Sequence, residues 1–166
     1  MQTFRNVAAV ALSVVAFALP GAARAAGQLT GPMASLNAKA GTWTCATTVP
    51  AMGGRPSRVD TVTLALEVAP ANTLHDHITG ADYSGDDYFG YSDDAKVYWS
   101  VSDDNSGTHG AATSTDGRTF TGTNTMGPIQ MSGKITYTLT GDSHLTVHEV
   151  LSVHGTDVPI DSDCHK

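Results

Sequence analysis

The sequence predicts an all-β protein, an up-and-down antiparallel β-barrel of about eight to ten strands with a short N-terminal helix. Apolar and polar residues alternate along most of the chain after Gly41, as they do on half-buried strands. Turn signals containing Gly, Asp and Asn interrupt this alternation at short intervals. The connections are short, and a meander of many strands removes its exposed edges when it closes into a barrel. A β-sandwich is the alternative.

The expected elements follow one another along the chain. A short helix is expected over residues 32–39, because Pro32 suits its start and Gly41 its end. Each expected strand is bounded by Gly, Pro, Asp or Asn, which favour turns. The expected strands are 41–49, 58–68, 73–79, 88–92, 96–102, 108–114, 118–123, 129–140, 144–153 and 158–161.

Residues 1–26 have the pattern of a secretory signal peptide. Arg5 precedes an apolar run over 7–19, and small residues over 22–26 suit cleavage near Ala26. The run is too short for a membrane span, although an uncleaved anchor is the alternative, and no later run is longer. We therefore expect a secreted or periplasmic protein whose one domain, a β-barrel, is residues 27–166.

The charge of the chain excludes one class of partner. The chain has nine basic and sixteen acidic residues, which give a formal net charge of −7. Without Arg5 and Arg24, seven basic residues would face the same sixteen acids, a charge of −9. An acidic chain repels nucleic acid and anionic lipid, so we expect no nucleic-acid partner. The protein is also expected to be a monomer.

The two cysteines are expected to form a disulfide. Cys45 lies on the first strand and Cys164 near the C-terminus. An oxidising compartment favours their pairing, and two buried thiols are the alternative. The bond would join the two ends of the domain.

The start of the expected domain resembles a known family. Segment 36–45 contains a Gly-x-Trp motif ending at Trp43, similar to the opening of lipocalin-like (calycin) barrels, where a short helix leads into the first strand. Runs 88–99 and 115–120 resemble those of small secreted bacterial lipocalin-like proteins of unknown function. Lipocalins place an Arg of a late strand against this Trp, and the late strands here offer only Lys134. The resemblance implies a cup that holds a small, mostly apolar molecule, and it implies no catalytic residues.

Two acids interrupt the apolar rows that should face inward in a small barrel. They are Glu149 and Asp76. A carboxylate at such a position loses hydration, so its pKa rises unless it is paired. Glu149 is therefore the expected polar contact of a small, partly apolar ligand, or it lies at a strand end or bulge and reaches water. The remaining expected lining residues are Leu64, Leu66, Trp99, Met131, Ile135, Tyr137, Val147 and Leu151. Candidate partners of the acids are Arg58, Lys96, Tyr98, Arg118 and Tyr137.

Two other functions remain open. One is a small enzyme that uses Glu149 or Asp76 as general acid or base. It is less favoured than binding, since no nucleophile motif is present and no catalytic residue is assigned. The other is a structural, envelope-associated module with a filled core.

No metal or cofactor is expected. His75 and His77 share one strand face, and so do His144 and His148. Both pairs lie opposite the apolar rows, and no Cys or Glu stands near them at a metal-site spacing, so we expect solvated histidines on the outer face. The Asp-rich turns do not match a calcium loop and are expected to serve the hairpins.

Overall fold

The computed structural model of the chain describes residues 27–51 and 56–166. Within them, ten antiparallel strands form one closed barrel, which confirms the predicted fold class and excludes the sandwich. Each strand pairs with the next along the chain, and the last strand pairs with the first. The predicted signal peptide lies outside the described residues. The strands are β1 Gly41–Val49, β2 Arg58–Ala69, β3 Thr73–Thr79, β4 Ser84–Ser92, β5 Val97–Asp104, β6 Thr108–Ser114, β7 Thr119–Met126, β8 Ile129–Thr140, β9 His144–Val153 and β10 Thr156–His165.

The expected N-terminal helix is not an α-helix. Gly31–Lys39 instead forms a 3₁₀ helix, which ends with a bond from the Ala40 N–H to the Asn37 carbonyl. The Asn37 side chain also accepts a hydrogen bond from the Leu29 N–H (2.9 Å) and donates one to the Leu29 carbonyl (3.0 Å). Asn side chains that bond the backbone locally compete with regular helix, and 3₁₀ turns are common in short connectors. No helix in the described part of the chain is long and apolar enough to cross a membrane.

Two strands, β4 and β10, are longer than predicted by several residues, and β2, β5 and β7 also extend past their predicted ends. β4 begins at Ser84 and therefore includes Asp86 and Asp87, which were expected in a loop. β10 continues to His165. Asp is depleted in strands generally, yet here β4 pairs with β3 on one side and β5 on the other. The hydrogen bonds of β4 to both neighbouring strands outweigh the low strand propensity of its Asp residues.

The first and last strands are joined covalently. Cys45 of β1 lies directly opposite Cys164 of β10, and the two form a disulfide across 119 residues of sequence. Both side chains are fully buried. The predicted pairing is confirmed.

A cation covers the Trp43 ring at this end of the barrel. Lys166 Nζ lies 4.5 Å from the ring centroid and donates a hydrogen bond to the Ala40 carbonyl at 2.9 Å. Lys134, the basic residue that the late strands offered, is exposed. The cation that contacts Trp43 is therefore Lys166, which directly follows β10, and not Lys134.

Asp residues in the turns bond to the backbone, as predicted. Asp116 Oδ1 accepts hydrogen bonds from the N–H groups of Arg118 (2.8 Å) and Thr119 (2.9 Å). The Thr119 and Arg118 N–H groups lower the pKa of Asp116 to about 2. Asp104 Oδ1 accepts from the Ser106 N–H in the same way, at 2.8 Å.

Candidate functional site

The interior of the barrel is not completely packed. A cavity of about 70 Å³ lies beside the aromatic core, bounded by β4 to β9. One water molecule needs roughly 10–15 Å³ of such space, so the cavity has room for several waters or a small polar group. Its lining residues are Asp87, Phe89, Ser100, Ser102, Ala111, Ala112, Phe120, Gly122, Thr123, Asn124, Gly133, Lys134, Ile135, Tyr137 and Glu149.

Two opposed glycines shape this cavity in different ways. Gly122 of β7 and Gly133 of β8 are directly paired. A Cβ at Gly133 would make only ordinary contacts, 3.4 Å from Leu151 Cδ2 and 3.6 Å from Asn124 Nδ2. A Cβ at Gly122 would collide with the Ala111 carbonyl of β6. The missing side chain of Gly133 therefore leaves open space, whereas Gly122 permits close approach of two backbones.

Three carboxyl groups converge on the inner face. Asp87 and Glu149 line the cavity, and Asp76 lies directly opposite Asp87 on the neighbouring strand. The pairing of β9 with β8 and β10 is regular through Glu149, so no bulge returns this acid to water. Asp76 is only 2% exposed, and its Oδ1 is a buried oxygen without a hydrogen-bond partner among the described residues.

Burial changes the protonation of these acids. Burial, followed by the charge of Asp87, raises the pKa of Asp76 to about 7. Burial, followed by the charge of Glu149, raises the pKa of Asp87 to about 7. Burial also raises the pKa of Glu149. At neutral pH Asp76 and Asp87 are therefore only partly ionised, and their protons are available for exchange.

The structure brings some of the predicted lining residues together. Tyr137 and Ile135 line the cavity beside Glu149. Leu64, Leu66, Met131 and Val147 are buried inside the barrel without lining the cavity. Leu151, also outside this lining, lies on the inner face next to Gly133.

None of the candidate partners of Asp76 and Glu149 bonds to either acid within the described residues. Arg58 contacts Asp60 at 2.7 Å, and Lys96 contacts Asp93 at 3.7 Å. The Tyr98 hydroxyl donates to the Pro32 carbonyl. Arg118 is exposed. The inward acids thus lack a compensating cation from these side chains.

Trp99 was expected to line the cup, and that orientation is wrong. Trp99 lies opposite Gly90, and its ring covers the position that a Gly90 side chain would occupy. The next residue on the same face, Val101, is 45% exposed, whereas Tyr98 on the opposite face is buried. Trp99 therefore packs on the outer surface, where a glycine provides a flat platform for it.

Asp87, Ser100, Ser102 and Asn124 are cavity residues that the sequence did not suggest. The Asp-rich sequence before residue 88 predicts a loop that contains Asp87. Extending the alternation of Tyr91 and Phe89 backward by one step would have placed Asp87 on the inner face. The apolar residues that alternate along β5 predict that their own side of the strand faces inward. This prediction places the two serines on the outer face, whereas they line the cavity.

The histidine pairs lie on the outer face, as predicted. His75 Nε2 and His77 Nδ1 lie 2.7 and 2.9 Å from the same oxygen of Asp86. His148 Nδ1 lies 2.6 Å from an oxygen of Asp161. These imidazoles contact surface carboxylates and not the interior acids.

A second, wider space lies beside the segment that precedes β1. This groove of about 890 Å³ is lined by that segment, the start of β1, the end of β2 and His75 of β3. Glu67 and His75 are its charged or titratable lining residues, and neither is an inward acid. The buried acids make the interior cavity the better candidate site.

Comparison with known proteins identifies the fold and no family. No protein-family model matches the sequence, and no curated protein matches it. Among solved structures, an S-type phycobiliprotein lyase from Guillardia theta has a similar fold, with a TM-score of 0.51 and 11% sequence identity. The similarity covers 78% of this chain and 88% of the lyase. At this identity the similarity is one of fold alone.

Proposed function

We propose that this protein is a secreted or periplasmic lipocalin-like barrel that binds a small, partly apolar ligand in its interior. The observation that carries the proposal is the composition of the cavity wall. Phe89, Phe120 and Ile135 form an apolar side, and Asp87 and Glu149 supply carboxyl groups. Pockets for small molecules commonly combine apolar walls with a few convergent polar groups.

The acids specify the kind of ligand. A cationic amine, or another strong hydrogen-bond donor, would satisfy Asp87 and Glu149, which form no ion pair with a cation of the described residues. The one buried lysine among the described residues, Lys39, instead donates to the Gly117 carbonyl and lies over the Tyr137 ring. Ser100 and Ser102 offer further hydrogen bonds at the same wall. The apolar part of the ligand would contact the phenylalanines.

The proposed location depends on two features. A disulfide that joins the first and last strands is favoured in an oxidising compartment. The residues before the barrel have the pattern of a signal peptide. Detection of the protein in periplasmic and culture fractions of its host, with the N-terminus sequenced, tests this part separately from ligand binding.

The ligand is tested directly with protein purified from its own host. Native mass spectrometry is expected to show a co-purified small molecule. Purified protein is then titrated at pH 8 with small aliphatic amines and with the matching neutral alcohols. The amines are expected to bind and the alcohols to bind more weakly, because only the amines neutralise the carboxylates.

A matched pair of variants locates the site. Glu149→Gln is expected to weaken amine binding by about tenfold or more, in the range of a lost charge-assisted hydrogen bond. Glu67→Gln, which changes an exposed glutamate on the outer face of β2, is expected to leave binding unchanged. Equal losses in both variants, or equal affinity for amines and alcohols, would contradict the proposal.

Acid–base catalysis in the same cavity is the second candidate. The pKa values of about 7 for Asp76 and Asp87 suit proton transfer at neutral pH. A barrel of similar fold is a phycobiliprotein lyase, so the fold alone does not separate a binding protein from an enzyme. Conversion of a bound molecule, lost in Asp76→Asn while binding persists, would support the enzyme. A ligand recovered unchanged after long incubation would argue against it.

A structural module with a filled core is the least favoured function. Its core would leave no space above the size of one water. The cavity of about 70 Å³ beside Asp87 is larger than that.

A further inference from the structure

A second cluster of potential ligand atoms lies on the outer face of β9 and β10. His144 of β9 lies directly opposite His165 of β10. Asp163 precedes His165 by two residues, so it shares the same strand face. The two imidazole rings stack, with centroids 4.8 Å apart and planes within 4° of parallel. Three side chains from two paired strands therefore meet at one point of the surface.

The ligand atoms of this cluster converge. His144 Nε2 lies 2.7 Å from Asp163 Oδ1, and His165 Nε2 lies 3.3 Å from the same oxygen. All three atoms lie within 4.8 Å of one another. A metal ion bound at about 2.0–2.2 Å holds its ligand atoms roughly 3–4 Å apart. The three atoms are therefore close enough to bind one ion once at least one of the two stacked imidazoles turns toward it.

The backbone that carries the cluster is held firmly. Cys164 separates the two β10 ligands and is bonded to Cys45 inside the barrel. The neighbouring cation, Lys166, donates to the Ala40 carbonyl and covers the indole ring of Trp43. Its ammonium group is thus directed away from the cluster. The two β10 ligands therefore flank a residue that is covalently bonded to β1.

We propose that His144, Asp163 and His165 bind a divalent late first-row transition metal, of the class Zn²⁺, Cu²⁺ or Ni²⁺. Imidazole nitrogens suit these ions, and a carboxylate oxygen completes a three-ligand set. The side chains of the cluster are 38%, 62% and 64% exposed, so water fills the remaining positions. The site is independent of the proposed interior ligand.

The other His–Asp contacts of the described residues provide matched comparisons. His148 contacts Asp161 at 2.6 Å on the same two strands, but no second imidazole joins them. His75 and His77 both contact Asp86 from a single strand, and the His75 ring is stacked on an aromatic ring of β4. Removing these imidazoles tests whether any surface histidine serves equally well.

The test uses the untagged full chain, first treated with a chelator and then titrated with ZnCl₂ or NiCl₂ in a calorimeter. One equivalent is expected to bind, and His144→Ala or His165→Ala is expected to weaken binding by at least about tenfold. His148→Ala and His77→Ala are expected to bind as the parent does. Cu²⁺ added to the parent is expected to give an electron paramagnetic resonance signal with nitrogen coupling, which His165→Ala alters.

Three results would overturn the proposal. One is the absence of saturable binding up to millimolar metal. Another is equal weakening by His148→Ala. The third is loss of binding in His77→Ala with retention in His144→Ala, which would move the site to β3. Near-UV circular dichroism of each variant shows that its fold is intact, and His144→Gln serves as a second, less disruptive substitution.

Discussion

Asp76 and Asp87 lie directly opposite each other on β3 and β4, with both side chains inside the barrel. Like charges at opposed positions of an antiparallel pair destabilise the sheet, and burial strengthens their repulsion. Among the residues that the structure describes, Asp76 Oδ1 has no hydrogen-bond partner to offset this effect. The fold therefore maintains an electrostatically unfavourable pair next to its cavity.

Asp76→Asn is expected to stabilise the ligand-free protein at pH 8. The amide keeps the shape of the carboxyl, carries no charge and can donate to Asp87. We expect the free energy of unfolding to rise by roughly 1–3 kcal/mol, the range for relieving a buried unsatisfied group. Urea denaturation measures it. Asp157→Asn, at an exposed position of β10, is expected to have almost no effect, and a less stable Asp76→Asn protein at pH 8 would show that the carboxylate is compensated.

The stability of the protein is expected to fall as the pH rises from 5 to 8. An unfolded Asp loses its proton near about pH 4, whereas Asp76 and Asp87 keep theirs until about pH 7. The folded state therefore binds more protons in this interval, and its free energy of unfolding decreases with pH by roughly 2 kcal/mol or more. Urea denaturation at each pH unit measures the slope.

The double variant Asp76→Asn/Asp87→Asn tests the source of this slope. Its profile is expected to be flatter between pH 5 and 8, and the raised pKa of Glu149 contributes the slope that remains. An unchanged slope in that variant would show that Asp76 and Asp87 are not the source of the pH dependence.

Gly133→Ala is expected to fold normally and to bind the interior ligand less well. The added methyl meets only ordinary contacts in the cavity, so the change in stability is expected to stay below about 1 kcal/mol. Gly122→Ala is the contrasting variant, since its methyl collides with the β6 backbone. We expect it to lose at least about 1–3 kcal/mol. Thermal unfolding and ligand titration measure both, and equal stability of the two variants would contradict this account of the glycines.

Replacing both cysteines by alanine is expected to destabilise the barrel by about 2–4 kcal/mol. The disulfide spans 119 residues, so its removal greatly enlarges the unfolded ensemble. Urea denaturation of the Cys45→Ala/Cys164→Ala protein measures the change. A stability equal to that of the oxidised parent would mean that the β1–β10 hydrogen bonds close the barrel unaided.

Most of the strand order could be predicted because the alternation and turn residues are local signals. The same alternation placed Asp76 and Glu149 on the inner face, where the structure has them. The alternation gave the wrong orientation for Trp99. An apolar row predicts that its residues are buried, but not on which side of the sheet. Trp99 packs over Gly90 on the outer face. Asp87 was missed because composition suggested a loop. The cavity lies where inward positions lack large side chains. Its location could not be predicted, because it depends on the register between strands.

In the described barrel, β1 and β10 are neighbours that are not consecutive in the sequence, whereas every other neighbouring pair of strands is consecutive. The sheet is therefore a ring whose starting point is arbitrary. Linking the end of β10 to the start of β1 and opening the Gly141–Asp142 turn would preserve all strand neighbours. In such a circularly permuted chain, Cys164 would be synthesised before Cys45. In the natural order, Cys45 is a free thiol until β10 has been synthesised.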